Sequence, residues 1–219
     1  MGMLENIQSG REKRPPRIMI YGSEGIGKST LAASAPNPIF IQTEDGLGEI
    51  NCHKFPLAKS LAEVLAELTA IRDEPHEYRT VVIDSADWLE RLIFDEVCRE
   101  FGVRNIEKAD GGYGRGYTHA LTHWRKVIAV LQEIRDRRDM IAVLVAHAKV
   151  ERFEDPENAG FSGEHAIAAP IGAEGGERMI RTVGSPACIA KNRYGLPAEL
   201  PLSWRAFVEA YRKVEEDHE

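Results

Sequence analysis

Residues 22–30 read Gly-Ser-Glu-Gly-Ile-Gly-Lys-Ser-Thr, a G-x-x-x-x-G-K-S spacing with a second hydroxyl behind it. The three glycines, Gly22, Gly25 and Gly27, let the backbone wrap closely, so that the N–H groups across Ser23, Glu24 and Ile26 can turn inward onto phosphate oxygens. Lys28 then reaches the β- and γ-phosphates, and the Ser29 hydroxyl is a ligand for Mg²⁺, with Thr30 completing the cradle. A chance glycine-rich turn is the plain alternative. Against it, an apolar strand (17–21) precedes the motif and a helix (28–35, stopped by Pro36 and Pro38) follows, adding its positive end to the site. The implied ligands are ATP and Mg²⁺.

Three further positions carry compatible chemistry. Asp84 ends the apolar run Val81-Val82-Ile83, where a carboxylate can hold Mg²⁺. It could instead cap the next helix, but Ser85 and Asp87 are available for that. Glu44 follows Ile39-Phe40-Ile41-Gln42-Thr43 and is placed to orient or deprotonate an attacking water, with Asp45 as competitor and a simple turn as the bland reading. His147 follows a fourth apolar run and is a candidate γ-phosphate sensor, or else a structural histidine; Lys149 shares both readings.

Cations supply the rest. Residues 103–117 are glycine-rich and hold Arg104, Lys108 and Arg115 beside Tyr113 and Tyr117. Cations hold phosphates and aromatic faces stack on unpaired bases, which suits single-stranded DNA; a surface loop whose tyrosines pack on the next helix is the alternative. The basic residues of the first 17 suit a solvated arm. Lys191 and Arg193 sit on a turn closed by Gly195 and Pro197, with pairing to acids such as Glu199 as their plain reading.

The elements needed to position these residues are legible. Strands are expected at 17–21, 39–43, 80–84 and 140–146. Between them, Ser60 and Glu63 form a capping box before Leu61, Val64, Leu65, Leu68 and Ile71. Trp88, Leu89, Leu92, Ile93, Val97 and Phe101 mark a helix closed by Gly102, and Leu121, Trp124, Val127, Ile128, Leu131 and Ile134 a longer one. Short strands at 179–183 and 187–190 suggest a hairpin around Gly184-Ser185-Pro186, and a last helix starts near Ser203. Alternating strands and helices imply an α/β fold with a mainly parallel central sheet, whose ligands bind at the carboxyl ends of the strands. Residues 148–178 show no periodicity.

The 219 residues carry a net charge of −7, with 43% hydrophobic and 29% charged residues. That excludes a protein coated in basic charge, though not a local basic groove. No apolar run is long enough to span a membrane, and the first residues lack the apolar core of a secretory signal. Asn6 breaks a myristoylation pattern. Three scattered cysteines argue against a disulfide framework or zinc site and for a reduced, cytoplasmic setting, the host cytoplasm for a phage protein.

With these residues placed, the chain resembles RecA-like P-loop proteins, and over about residues 17–210 it is similar to phage AAA-type nucleotide-binding proteins such as the Sak-type single-strand annealing ATPases. YGSEGIGKSTLAASAPNPIFIQTEDG, TVVIDSADWLE, GGYGRGY, WRKVI, LVAHAKVERFEDPE and AKNRYGLPAELPLSW carry the resemblance. KNRYG is also similar to the KNRFG motif of bacterial RadA and to the Lys-x-Arg finger of hexameric helicases. The resemblance implies Glu44 as catalytic carboxylate and His147 as sensor. Lys191 and Arg193 would reach the nucleotide of a neighbouring subunit in a ring or filament. Resembling proteins carry a further helix and strand after the VERFEDPE block; here Pro156 runs almost directly into a Gly/Ala-rich stretch, so one helix and one strand are expected to be missing near 156–160.

The expectation is therefore a basic arm (1–16) and a single RecA-like ATPase domain (17–219). It would bind Mg–ATP and act on single-stranded DNA in phage recombination, by annealing or strand exchange, beside a single-strand binding protein. A small-molecule or nucleotide kinase is the alternative, although its only arginine-rich stretch, 135–139, ends a helix. An ATP-binding protein without turnover is another.

Overall fold

The computed structural model describes residues 7, 14–154, 162–167, 173–174, 177–183 and 191–216. Five parallel strands form the central sheet: β1 (Arg17–Gly22), β2 (Pro38–Gln42), β3 (His53–Lys54), β4 (Thr80–Asp84) and β5 (Ile141–His147), in the order β1-β5-β4-β2-β3. Five helices accompany them: α1 (Lys28–Ala33), α2 (Leu61–Asp73), α3 (Ala86–Glu100), α4 (Arg115–Arg138) and α5 (Trp204–Glu216).

Strand alternation explains the layers. Ile39, Ile41, Val81 and Ile83 face α2, α3 and α4, where Val64, Leu68, Leu89, Ile93, Val127 and Ile134 are buried. Phe40, Val82, Val143 and Val145 face the other way, onto Leu31 and Ala32 of α1 and Trp204 and Phe207 of α5. Both faces are covered, which is why these strands read as continuous apolar runs. The fold is thus the mainly parallel α/β sheet flanked by helices that the sequence implied.

Local differences have physical reasons. Ser60 Oγ accepts from Glu63 N at 3.2 Å, but the Glu63 carboxylate returns to Lys59 N (2.7 Å) rather than to Ser60. On α4 the buried stripe is Gly116, Ala120, His123, Val127, Leu131 and Ile134, while Leu121 and Ile128 face out. The stretch expected to lack structure contains an antiparallel pair, β6 (Lys149–Glu154) with β7 (Ser162–Ile167). It continues into β8 (Ala173–Glu174) and β9 (Glu177–Arg181), and β9 pairs with both β8 and β10 (Glu199–Pro201). The hairpin expected around 184–186, the strand at 187–190 and the missing helix and strand near 156–160 fall outside the described residues.

Candidate functional site

Parallel register brings the chemistry together. Gly22 lies opposite His147 across β1–β5, Asp84 opposite Val145 across β4–β5, and Gln42 opposite Asp84 across β2–β4. The carboxyl ends of four strands therefore open onto one cavity of about 260 Å³. Its walls include Glu24, Gly25, Gly27, Lys28, Ser29, Thr30, Glu44, Asp84 and His147. Gly25 (φ 71°) and Gly27 (φ 105°) have left-handed backbones that suit glycine, so the loop's shape depends on those two residues.

Lys28 is buried, and its ammonium donates to the carbonyls of Gly22 (3.0 Å) and Ser23 (2.9 Å). Burial lowers its pKa, opposed by the surrounding carboxylates Asp84, Asp87, Glu44 and Glu24. Asp84 is also buried. Burial raises its pKa and Glu44 adds to this, while a hydrogen bond from Ser29 acts against it. Its Oδ2 is buried without a hydrogen-bond partner among the described residues. A buried carboxylate oxygen left unpaired is costly, so its fit to a cation with a hydroxyl neighbour is chemical as well as positional.

Beside this pair stands a network the sequence only half disclosed. Asp87 accepts from the His147 backbone N–H (2.8 Å) and from His147 Nδ1 (2.7 Å). Those bonds and the imidazole's charge outweigh burial and leave the Asp87 carboxyl below its ordinary range. An ionised carboxylate only accepts, so Nδ1 carries the ring proton and Nε2 remains as the ring's other polar atom. Ser85 Oγ lies within bonding distance of Glu44 Oε2 (2.9 Å) and Asp87 Oδ2 (3.1 Å). Thr43 Oγ1 donates to the Ser85 carbonyl (2.6 Å), and Thr43 N to the Asp84 carbonyl (2.9 Å), tying the end of β2 to the end of β4. Ser85 and Asp87, expected as helix caps, are therefore engaged in the site, and Ser85 makes no side-chain cap. Ligand atoms of Glu44, Asp87 and His147 lie within 4.8 Å of one another. Mg²⁺ prefers oxygen donors, so the Ser29–Asp84 pair suits it better than this imidazole-containing trio.

Other expected residues lie apart from the cavity. Arg104, Lys108, Tyr113, Arg115 and Tyr117 cluster around a kinked 3-10 segment, Ile106–Gly111, that leads into α4. All five are exposed, Tyr113 almost completely (99%). Tyr117 lies within α4 itself and packs edge-on against Phe94 of the preceding helix α3, not on the next helix as the packing alternative had it. The segment is anchored: Ile106 and Ala109 are buried, and Gly116 passes so close that a Cβ there would stand 2.1 Å from the Ile106 carbonyl oxygen.

Lys191 and Arg193 are exposed, and neither makes an ion pair among the described residues. Glu199, their expected local partner, instead accepts from Arg181 at 3.1 Å. The turn that carries them is well built. Asn192 bonds both the N–H (3.0 Å) and the carbonyl (2.6 Å) of Leu196, Gly195 has φ 70°, and Tyr194 packs on Tyr211 and accepts from Arg17 N.

Arg178 is the cation that sequence reasoning missed. A Cβ on Gly27 would stand 3.0 Å from its Nη1, so the guanidinium lies against the P-loop. No motif marks it; only the folding of β9 brings it there.

The chain is similar to the SPbeta prophage-derived uncharacterized protein YorG of Bacillus subtilis (strain 168), 24% identical over 159 residues. Those residues are 70% of this chain and 46% of the relative, so the chain spans about half the relative's length. Its structure is similar to the crystal structure of the RadB recombinase, at 14% identity, TM-score 0.42 and 68% coverage of each chain. Residues 14–168, which include the whole P-loop cavity, match the family described as an AAA domain, and the chain belongs to that family.

Proposed function

We propose that this chain is a RecA-like ATPase domain, spanning 17–219, that binds Mg–ATP at residues 22–30. It hydrolyses the nucleotide slowly and acts on single-stranded DNA in phage recombination. The observation that carries the reading is the buried Asp84 Oδ2 without a partner among the described residues, in the cavity that Ser29 and the buried Lys28 also line. Mg²⁺ held by Ser29 and Asp84 would neutralise phosphate charge.

The chain's own residues do the remaining work. Lys28 exchanges its two carbonyl partners for the β- and γ-phosphates. Glu44, held at Oε2 by Ser85, offers its other oxygen to orient a water for in-line attack on the γ-phosphorus. The bond from that phosphorus to the β-bridging oxygen breaks, ADP leaves, and the water's protons end on the released phosphate or the solvent. His147, held at Nδ1 by Asp87, lines the cavity and would act there as a sensor.

Lys191 and Arg193 would act on the next subunit's nucleotide; their exposure, with no ion pair among the described residues, supports this. The exposed Tyr113 and its neighbouring cations are suited to single-stranded DNA, and the relative's prophage origin supports a phage setting. The kinase alternative is weakened because two of the three arginines of 135–139 are engaged elsewhere: Arg138 donates to the Arg72 carbonyl (2.7 Å) and Arg135 to that of Pro15. They also precede β5, whereas the cavity lies at its other end.

The test is ATP turnover with and without single-stranded DNA, in the full chain and in Lys28→Ala. DNA-stimulated hydrolysis that Lys28→Ala abolishes is expected. Hydrolysis unchanged by the substitution removes the reading, and phosphoryl transfer to a small acceptor replaces it with the kinase.

A further inference from the structure

Arg178 reaches the P-loop from outside the parallel sheet. Its backbone is held on both sides: Ala173 of β8 pairs with it, and Leu202 N, just past β10, donates to its carbonyl at 2.8 Å. The side chain is exposed, and its Nη1 stands 3.0 Å from where a Cβ on Gly27 would lie. Gly27 and Thr30 line both the cavity at the strand ends and a second hollow of about 840 Å³, to whose wall Arg178 belongs. The two sides of Gly27 differ in charge. On the cavity side, Lys28 sits among the carboxylates of Asp84, Asp87, Glu44 and Glu24. The described residues that line the hollow include two arginines, Arg178 and Arg205, and no acid. Arg205 is bonded to Glu209 at 2.7 Å. The Arg178 guanidinium therefore stands against the loop with no acid on its own wall, in a chain of net charge −7.

We propose that Arg178 is a nucleotide-binding residue: it holds the α- and β-phosphates of the bound nucleotide from the side of the P-loop opposite Lys28. The proposal rests on the P-loop reading. Glu44, Asp84 and His147 line the cavity but not the hollow, so the γ-phosphate end, where water attacks, lies away from Arg178. The phosphates nearer the hollow are those that ADP keeps. A planar guanidinium, with its fork of donors, suits oxygens of two adjacent phosphates. Arg178 lies beyond residues 14–168, so this contact comes from a C-terminal strand and not from the part of the chain that matches the AAA domain.

The test is titration calorimetry of the full chain with ATP, ADP and inorganic pyrophosphate, which has adjacent phosphates and no nucleoside. Arg178→Ala should weaken all three by one common factor, about three- to tenfold for an exposed cation. Arg178→Lys keeps the charge and should recover part of that loss; Arg178→Gln keeps the stem without the charge and decides the matter should the alanine variant not fold. In turnover the loss should fall on KM and not on kcat, because the contact is the same before and after hydrolysis. Unchanged affinities in Arg178→Ala overturn the proposal. So does a loss for the two nucleotides without one for pyrophosphate, or a loss of kcat at unchanged affinity. If the wild type binds none of the three, or Lys28→Ala binds them as the wild type does, the P-loop reading fails and the proposal with it. Unchanged affinities in Arg178→Ala beside a clear loss in Lys28→Ala overturn the proposal alone.

Discussion

The Asp87–His147 contact can be measured apart from catalysis, because the two bonds between these residues respond differently to substitution. Asp87→Ala removes both the ring bond (2.7 Å) and the backbone bond (2.8 Å), whereas His147→Ala removes only the ring bond. Charge-assisted hydrogen bonds contribute about 1.5–3 kcal/mol when buried. These side chains are 31% and 35% exposed, so about 1–1.5 kcal/mol is a fair figure for the ring bond. Asp87→Ala should then cost about 2–3 kcal/mol, His147→Ala about 1–1.5, and the double variant no more than Asp87→Ala alone. Urea unfolding of the four proteins near neutral pH gives the coupling directly. The sign of the pH dependence follows from the depressed Asp87 carboxyl. Its contribution is present above the ordinary aspartate value of 3.8 and is lost as pH falls below it through the folded value. Wild type and Asp87→Ala should therefore converge in acid. A coupling under about 0.3 kcal/mol, or a cost that persists unchanged at about pH 3, would refute the argument.

Other expectations are as direct. Arg193→Ala should bind nucleotide normally and lose turnover by about a thousandfold, and mixing it with Lys28→Ala subunits should restore part of the activity; no loss, or no rescue, sinks action between subunits. Glu67, half-buried on α2, has its carboxyl pushed up to about 7 by burial and by Glu63. A raised carboxyl favours the fold at low pH and loses that contribution as pH climbs from 4.5 through 7. Glu67→Gln should therefore gain about 1 kcal/mol over wild type at about pH 8 and nothing near pH 4, with thermal melts as the check. Gly116→Ala must move either α4 or the Ile106 backbone and should cost about 3 kcal/mol, a drop of about 6–12 °C in Tm; an unchanged melt would mean the contact is loose.

What the sequence disclosed follows from how each feature is encoded. The P-loop, the four long strands and their polar ends are local patterns, and parallel register alone then aligns Gly22, Asp84 and His147. Asp87 was visible but misjudged, because an aspartate in a helix's first turn is ordinarily a cap, and only the spatial neighbour on β5 reveals its partner. Leu121 and Ile128 satisfied a helical period, yet the buried stripe of α4 runs through Gly116, Ala120 and His123, small or polar residues that hydropathy does not favour. Arg178 was illegible because nothing within β9 says that this short strand folds back over Gly27.

The basic turn at 191–195 illustrates how stability and function separate. Asn192, Tyr194 and Gly195 hold its backbone, and each has an identifiable local partner or conformation. Lys191 and Arg193 contribute nothing comparable: they are exposed, and the nearby acid Glu199 is paired with Arg181. In a chain with seven more acidic than basic residues, two cations that make no ion pair among the described residues could be replaced at little cost. Among the described residues no acid pairs with their charge, and the proposed anion outside the chain gives it a use. A nucleotide in a neighbouring copy fits both the charge and the rigid presentation, because a fixed turn places the guanidinium without the entropy that a mobile loop would lose on contact.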